Sequence, residues 1–211
     1  MSIYAIAKTI LTIIMIAAPL AGILMLAFGI ARKRKGLIAG GIVVFLMAPA
    51  AFFGFFLVAV KQYSFDFDKL DTFEVTSENL HDGVWDVEIS HDKGFDRSPQ
   101  LSWEAVDGAS FYVVYMIDPD GSNWLHMTAL TSDTHLDPGC EQNYIGPYPP
   151  NGTHTYVVYV FALKEMKTPG GPVNSPCDGI REMASKLNTF NNSDVGNIIA
   201  YGELRGEYPG M

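Results

Sequence analysis

Carboxylate and imidazole side chains recur in two short stretches in the C-terminal half of this 211-residue chain. Asp118 and Asp120 flank a proline at the end of an apolar run, and His126 follows soon after. His154 and Tyr156 follow a proline-rich loop. Such side chains can bind a metal ion, or an imidazole can donate to an anion while a nearby carboxylate fixes its tautomer. A carboxylate also accepts from an ammonium group, so the same set would suit a zwitterion.

Each stretch also has a structural explanation. Asp-Pro-Asp-Gly at residues 118–121 is a good turn sequence, with proline at the second turn position. Pro-Pro-Asn-Gly at residues 149–152 reads as a rigid loop ahead of a strand. A single histidine is more often a hydrogen-bonding partner within the fold than a ligand. No stretch taken alone therefore defines a site.

Taken together and in order, the stretches resemble the phosphatidylethanolamine-binding protein family, in particular its bacterial and archaeal YbhB/YbcL branch, described as Raf-kinase-inhibitor-like. Residues 98–103 match Ser-Pro-x-Leu-Ser-Trp. Residues 118–120 match an Asp-Pro-Asp strand end, and residues 124–126 match the Trp-x-His that follows it. Residues 144–154 match Tyr-x-Gly-Pro-x-Pro-Pro-x-Gly-x-His position for position. The resemblance covers roughly residues 84–163.

The resemblance implies a β-sandwich-like fold with a small pocket that binds anions such as phosphate or phospholipid headgroups. Carried over residue by residue, the pocket would be lined by Asp118, Asp120, His126, His154 and Tyr156. Its walls would be shaped by Trp124, Pro147 and Tyr148, together with Pro119. We expect no catalytic residue, no metal ligands and no cofactor.

This sequence departs from the family pattern at three points. Thr155 stands where the family usually has an arginine directly after the loop histidine. Leu125 stands where some members carry a second histidine, and the short segment 121–123 lacks the common Ala-Pro. Loss of the arginine removes a fixed cation, which weakens the case for a strongly anionic ligand.

Alternating and apolar segments separated by turns predict that strands carry these residues. The fold class predicted is mainly β, an antiparallel sandwich with short helices, preceded by a transmembrane helical hairpin. The predicted strands are residues 73–76, 84–89, 101–103, 111–117, 124–130 and 156–163. Residues 180–187 have helical spacing, and residues 197–204 form a last apolar segment.

The N-terminal part of the chain predicts membrane-spanning helices. Residues 9–30 and 37–60 carry no charged side chain. As helices they would span roughly 33–36 Å, which covers a hydrocarbon core of about 30 Å. A backbone in lipid must satisfy its own hydrogen bonds, so residues 1–60 are predicted to be a helical hairpin. Gly36 and Gly40 form a small-xxx-small pattern that would allow close helix packing.

Four consecutive cations between the two apolar runs predict the orientation of the hairpin. Residues 32–35 read Arg-Lys-Arg-Lys, so the loop at 31–36 should be cytoplasmic. Both termini and the domain at residues 74–211 would then be non-cytoplasmic, joined to the cell membrane by a connector at 61–73. A cleaved signal peptide fits poorly because only Lys8 precedes the first run. The reverse orientation is the other alternative.

The distribution of charge argues against nucleic acid as a partner. No Asp or Glu precedes Asp66, and from residue 61 onward the chain has 23 acidic and 9 basic residues, a formal charge of −14. Such a domain repels polyphosphate backbones. Simple solubility is the plainer explanation of the acidity.

Cys140 and Cys177 are the two cysteines of the chain. An even pair in an exported domain favours a disulfide, and two buried free thiols are the alternative. A metal site is not expected because there is no C-x-x-C motif and no histidine at ligand spacing.

Three functions remain open from the sequence. The first is a membrane-tethered binding or regulatory module, not an enzyme, whose partners are the lipid bilayer and a small anionic or zwitterionic ligand. The second is an accessory subunit with a vestigial pocket, whose helices contact a membrane protein or a second copy of the chain. The third is a hydrolase using Asp118, Asp120, His126 and His154, with or without a metal, although no G-x-S-x-G motif is present.

Overall fold

The computed structural model describes residues 3–63, 69–192 and 194–210. They fall into two compact units, a helical hairpin and a β-rich domain. The hairpin consists of α1 (Ile3–Ala31) and α2 (Lys35–Tyr63), so both helices extend beyond the apolar runs that predict them. Residues 64–68 of the predicted connector lie outside the described residues.

The two helices of the hairpin pack closely at glycines. A Cβ atom on Gly22 would lie 2.8 Å from the amide nitrogen of Phe45 and 2.9 Å from the carbonyl oxygen of Gly41. Of the pair that the sequence suggested, Gly36 has no heavy atom within 4 Å of its Cβ position, whereas a Cβ atom on Gly40 would lie 3.0 Å from Cε of Met25. Thr9–Ala31 and Lys35–Leu57 are long and apolar enough to cross a membrane, a criterion that a signal sequence also meets.

The described part of the β-rich domain contains two sheets and the eight-residue helix α3 (Ile180–Leu187). The large sheet has the order β10-β7-β6-β9-β11-β4-β3, with β1 also paired to β11, and the small sheet has the order β2-β5-β8. The strands are β1 (Asp71–Phe73), β2 (Val75–Thr76), β3 (Leu80–His81), β4 (Val84–Trp85), β5 (Leu101–Trp103), β6 (Phe111–Asp118), β7 (Trp124–Thr131), β8 (His135–Leu136), β9 (Thr153–Leu163), β10 (Ser175–Pro176) and β11 (Ile198–Pro209).

The sheets confirm the predicted fold with two qualifications. β1 and β4 run parallel to β11, whereas the other pairs are antiparallel, so the large sheet is mixed. Helix makes up 31% and strand 30% of the chain, because the two long N-terminal helices offset the β-rich domain. The description "mainly β" is therefore approximate for the chain as a whole.

Strand β6 shows why its sequence is continuously apolar. Tyr112, Val114 and Met116 belong to the core cluster that also contains residues of the small sheet. The alternate residues of β6 belong to a second cluster on the opposite face, with α3. Since both faces are buried, each position carries an apolar side chain. The predicted buried strand at 111–117 is thus confirmed.

Two of the predicted strands differ from the structure. The strand predicted at 84–89 ends at Trp85, and a 3-10 turn occupies Val87–Ile89. In that turn the Ile89 amide donates to the Asp86 carbonyl at 3.3 Å instead of to a neighbouring strand. The strand predicted at 73–76 is divided between β1 and β2, which belong to different sheets. The helix at 180–187 has the predicted bounds, and β11 continues to Pro209.

The predicted disulfide is not formed in the structure, where Cys140 and Cys177 are both free thiols. Cys140 is exposed in a turn after β8 of the small sheet, its amide donating to the Asp137 carbonyl at 3.1 Å. Cys177 packs against the cluster on the α3 face of the large sheet. The large sheet thus separates the two thiols.

Candidate functional site

The predicted ligand-binding residues come together in one pocket of about 480 Å³. It lies where β6 ends, β7 begins and the loop before β9 folds back. Pro147 is buried nearby but does not line the pocket, and Pro119 lines a separate small cleft. The lining residues are Asp118, Asp120, Gly121, Trp124, His126, Tyr148, Pro149, Pro150, Asn151, His154 and Tyr156.

Asp118, which is buried, and His154, which is partly buried, form a pair in the wall of the pocket. The Nδ1 atom of His154 lies 2.7 Å from Oδ2 of Asp118, and the side chains are 15% and 5% exposed. The other carboxylate oxygen of Asp118 accepts from the Gly121 amide at 2.7 Å, which closes the turn after β6. Because an ionised carboxylate only accepts hydrogen bonds, Nδ1 of His154 carries the proton. Its Nε2 atom is the nitrogen that remains for a ligand.

A β-bulge positions His126. The register between β6 and β7 shifts at this residue, since Met127 lies opposite Met116 whereas Leu125 lies opposite Ile117. Leu125 and Met127 consequently pack into different core clusters, although residues two apart in a regular strand share a face. The extra residue in the bulge is His126, whose side chain lines the pocket.

The surroundings of His126 fix its tautomer and favour its neutral form. The Nδ1 atom donates to the Ile145 carbonyl at 2.8 Å, so Nε2 is left for a ligand here as well. Burial is the largest influence on this imidazole and lowers its pKa, against smaller opposing effects of the Ile145 carbonyl and Asp118. The ring lies edge-on to Tyr156 and Tyr148, at centroid distances of 5.0 and 5.9 Å.

Asp120 is bonded to the backbone of Thr155, the residue that stands where the family usually has arginine. Its Oδ2 atom accepts from the Thr155 amide at 2.8 Å, so the carboxylate bridges the turn after β6 to β9. Neither Lys nor Arg lines this pocket among the described residues. Any positive charge offered to a ligand by the lining residues must therefore come from the two histidines.

Trp124 and Tyr148 form an aromatic wall of the pocket. Asn174, a residue that the sequence did not predict for the site, holds both side chains. Asn174 Oδ1 accepts from the Tyr148 hydroxyl at 2.7 Å and from the Trp124 indole at 3.3 Å. The Asn174 amide donates to the Leu125 carbonyl at 2.8 Å, and its φ of 64° lies in the left-handed region that asparagine tolerates. No motif in the sequence marks this residue, because its partners are distant in the chain.

Asp96 anchors the loop that carries Tyr148. One carboxylate oxygen accepts from the Gly146 amide at 2.6 Å, and the other lies 2.9 Å from Nδ1 of His91. The His91 amide in turn donates to the Pro147 carbonyl at 3.1 Å. Asp96 lies just before the family-like stretch at residues 98–103, and nothing in the sequence reveals its role as an anchor.

The tyrosine hydroxyls of the pocket are neutral at physiological pH. Burial, and secondarily the charge of Asp118, raises the pKa of Tyr156, and burial also raises the pKa of Tyr148. Both phenols can therefore take part in hydrogen bonding without adding negative charge.

A second cavity, of about 320 Å³, lies beside α3 and is lined by none of the predicted ligand-binding residues. Two lysines line it, and one of them, Lys186, is paired with Asp178 at 2.7 Å and with Glu182 at 3.2 Å. The pocket at Asp118 offers more polar groups directed to one place, and we regard it as the candidate site.

Residues 74–208 match the phosphatidylethanolamine-binding protein family. The chain belongs to this family. The match includes every pocket-lining residue and Asn174 and leaves out the two N-terminal helices.

A crystal structure of a family member shares the fold. E. coli YbcL, described as a new member of the mammalian family, gives a TM-score of 0.52 and 24% sequence identity over 66% of this chain and 99% of its own. The homologue CT736 from Chlamydia trachomatis gives a TM-score of 0.49 and 21% identity over 67% of this chain and 99% of its own. No curated protein matches the sequence.

The side chains of the pocket do not form a metal site of the usual kind. Within the part of the chain that the structure describes, no group of three or more His, Cys, Asp or Glu residues is placed to hold a metal ion. His154 is bonded to Asp118 through Nδ1, so its Nε2 atom is the nitrogen that remains for any other ligand.

Replacing Asn174 with glycine should loosen the aromatic wall. Glycine tolerates the left-handed backbone, so the variant removes only the acceptor of Tyr148 and Trp124. We expect a loss of about 1 kcal/mol in the free energy of unfolding. Acrylamide quenching of Trp124 fluorescence should also increase. The change can be assigned to Trp124 because the other two tryptophans, Trp85 and Trp103, are buried.

The matched control for this variant is Asp82→Gly. Asp82 also has a left-handed backbone, with φ of 50°, but lies in the exposed turn between β3 and β4. It should leave quenching and stability almost unchanged. Equal quenching in the Asn174 variant and the wild type would show that the asparagine does not hold the wall.

Proposed function

We propose that this chain is a binding module held at a membrane by its N-terminal hairpin. Its pocket would receive a phosphate-containing group that also carries an amine, as a zwitterionic lipid headgroup does. The observation that supports this most is that two imidazoles and two carboxylates line one pocket, with each ring held through Nδ1 by the protein.

The charges of the lining residues favour a zwitterion over a simple anion. Asp118 and Asp120 contribute negative charge, and a protonated imidazole is the only cation that the lining offers among the described residues. A phosphate can accept from Nε2–H of a protonated histidine, while an ammonium group can donate to the carboxylates. A ligand with both groups would balance the charge that either half would leave uncompensated.

The hairpin supplies the membrane attachment in this proposal. Its helices are apolar over a sufficient length, and large apolar side chains such as Leu24 and Phe53 are 70% and 62% exposed. Their exposure to water would be unfavourable, whereas lipid would cover them. The basic turn at residues 32–35 would lie on the cytoplasmic side, which places the family domain on the other side.

The test is isothermal titration calorimetry of the full-length protein in detergent, with glycerophosphoethanolamine, ethanolamine and inorganic phosphate titrated separately. Glycerophosphoethanolamine should bind more tightly than either half alone. His154→Ala should weaken its binding about tenfold or more, the value of a lost hydrogen bond to a charged group. His81→Ala is the control, since this histidine is exposed and outside the pocket. Unchanged binding in the His154 variant would refute the proposed site.

The same titration should depend on pH. The lowered pKa of His126 keeps its imidazole neutral at pH 7.5, and phosphate binding would favour protonation. Affinity should thus increase as the pH falls from 7.5 to 6, by at most about tenfold per pH unit for one proton taken up. The probe is a phosphodiester, so its own phosphate does not titrate in this range. Affinity that is constant with pH would show that the phosphate does not draw a proton onto the imidazoles.

A further inference from the structure

A serine and a histidine face each other across the small sheet, outside the pocket. Ser102 of β5 and His135 of β8 are cross-strand partners in the antiparallel register. The Ser102 hydroxyl oxygen lies 2.8 Å from Nδ1 of His135. The contact is therefore built into strand pairing and does not depend on a loop.

Asp137 completes a relay behind the imidazole. Its Oδ1 atom lies 3.1 Å from Nε2 of His135. A carboxylate only accepts, so the proton of the neutral ring lies on Nε2, and Nδ1 is free to accept from the Ser102 hydroxyl. This order of nucleophile, base and orienting carboxylate is the one that activates serine for acyl transfer.

A buried amide faces the same hydroxyl. Gln100 is 5% exposed, and its Nε2 atom lies 2.6 Å from the Ser102 hydroxyl oxygen and 3.3 Å from Nδ1 of His135. The Glu78 amide donates to Gln100 Oε1 at 2.8 Å, which determines that the NH₂ end faces the serine. Because the Ser102 oxygen accepts from Gln100, its own proton is left to point toward Nδ1 of His135.

We propose that Ser102 is a reactive nucleophile, with His135 as its base, that accepts acyl groups from activated esters. The Ser102 oxygen would form a bond to the ester carbonyl carbon as its proton passes to Nδ1. Collapse of the tetrahedral intermediate breaks the bond to the leaving alcohol, which takes that proton. Water then attacks the acyl-serine, gives a proton to His135 and releases the acid, and the proton returns to Ser102.

The surroundings of the relay indicate the class of substrate. The side chains of His135 and Asp137 are 50% and 82% exposed, so the serine is on an open face. A small ester or one presented on another surface can reach it. The exposed carboxylate has a weaker orienting effect than a buried one, so turnover should be slow and restricted to esters with good leaving groups.

The decisive experiment treats the full-length protein with a biotinylated fluorophosphonate and maps the modified residue by mass spectrometry. In this reaction the serine oxygen bonds to phosphorus, fluoride leaves, and His135 passes the proton to solvent. Labelling should occur at Ser102, disappear in Ser102→Ala, and slow by about 100-fold in His135→Gln, at the lower end for loss of a general base. Hydrolysis of 4-nitrophenyl acetate should fall in parallel.

Two controls separate activation from mere exposure. Ser132→Ala removes another exposed serine close in sequence and should label at the wild-type rate. Asp137→Ala should slow labelling a few-fold and Asp137→Glu should restore it, which a purely structural role would not produce. Labelling at the wild-type rate in His135→Gln, or no labelling of Ser102 in the native protein, would overturn the proposal.

Discussion

Replacing Asp118 with alanine should lower the free energy of unfolding by about 3 kcal/mol, the scale for breaking a buried pair by removal of one member. The substitution leaves two groups without their acceptor, the His154 imidazole and the Gly121 amide that closes the turn. It also removes a pocket carboxylate that would accept from the ammonium group of the ligand. Binding of glycerophosphoethanolamine should therefore be lost or fall by roughly 100-fold.

Asp118→Asn separates charge from shape in this prediction. Asparagine can still accept from the Gly121 amide, so its effect on stability should be smaller. Its NH₂ group would face Nδ1 of His154, which forces the ring proton to Nε2 and makes the ligand-facing nitrogen a donor. Chemical denaturation followed by tryptophan fluorescence measures the stability of each variant.

Asp120→Ala provides the comparison within the same turn. Asp120 is exposed and accepts from the Thr155 amide, so its loss should cost about 1 kcal/mol. If Asp118→Ala were no less stable than Asp120→Ala and still bound the probe, the central role of the buried pair would be wrong.

The secondary structure that the sequence predicted well is the part decided by local pattern. The apolar run of β6 has both faces buried, and the spacing of Ile180 and Leu187 marks the bounds of α3. The prediction was wrong at residues 84–89. The alternating pattern there predicts one strand, but the strand ends at Trp85 and a 3-10 turn follows. Alternation alone does not show whether a neighbouring strand is present to pair with.

The candidate site depended on contacts between distant segments, which no local pattern encodes. Asp118 and His154 are 36 residues apart, and only the family resemblance placed them together. The bulge at His126 is a shift of register between two strands, so it is absent from the sequence of either strand alone. Asn174 was missed for the same reason, since its role exists only where its loop meets Trp124 and Tyr148.

The hairpin and the pocket therefore have different kinds of support. The hairpin follows from length and apolarity, which are properties of the sequence itself, whereas its orientation follows from four cations and is a prediction. The pocket follows from tertiary contacts within the family domain. The ligand is inferred from the charges of the lining residues. Because Thr155 replaces the arginine, only the two histidines among the lining residues could give positive charge to a bound anion.

Gly146→Ala should be the most damaging small substitution in the pocket loop, with a loss of about 3 kcal/mol or more in unfolding free energy. A Cβ atom at this position would overlap the carbonyl oxygen of Ile89 and would lie 2.7 Å from the amide nitrogen of His91. Both are backbone atoms, so no side-chain rotation can relieve the contact. The loop would have to move away from the 3-10 turn at Val87–Ile89.

That movement would reach the site through two connections. The Gly146 amide would leave Asp96, and the neighbouring Ile145 carbonyl would shift from Nδ1 of His126. Gly146→Ala should thus weaken ligand binding together with stability, and the His126 C2 proton resonance should shift in the NMR spectrum. Gly170→Ala is the matched control, because its Cβ would meet no atom within 4 Å. A Gly146 variant as stable as the Gly170 variant would mean that the loop and the turn are not packed as closely as the structure places them.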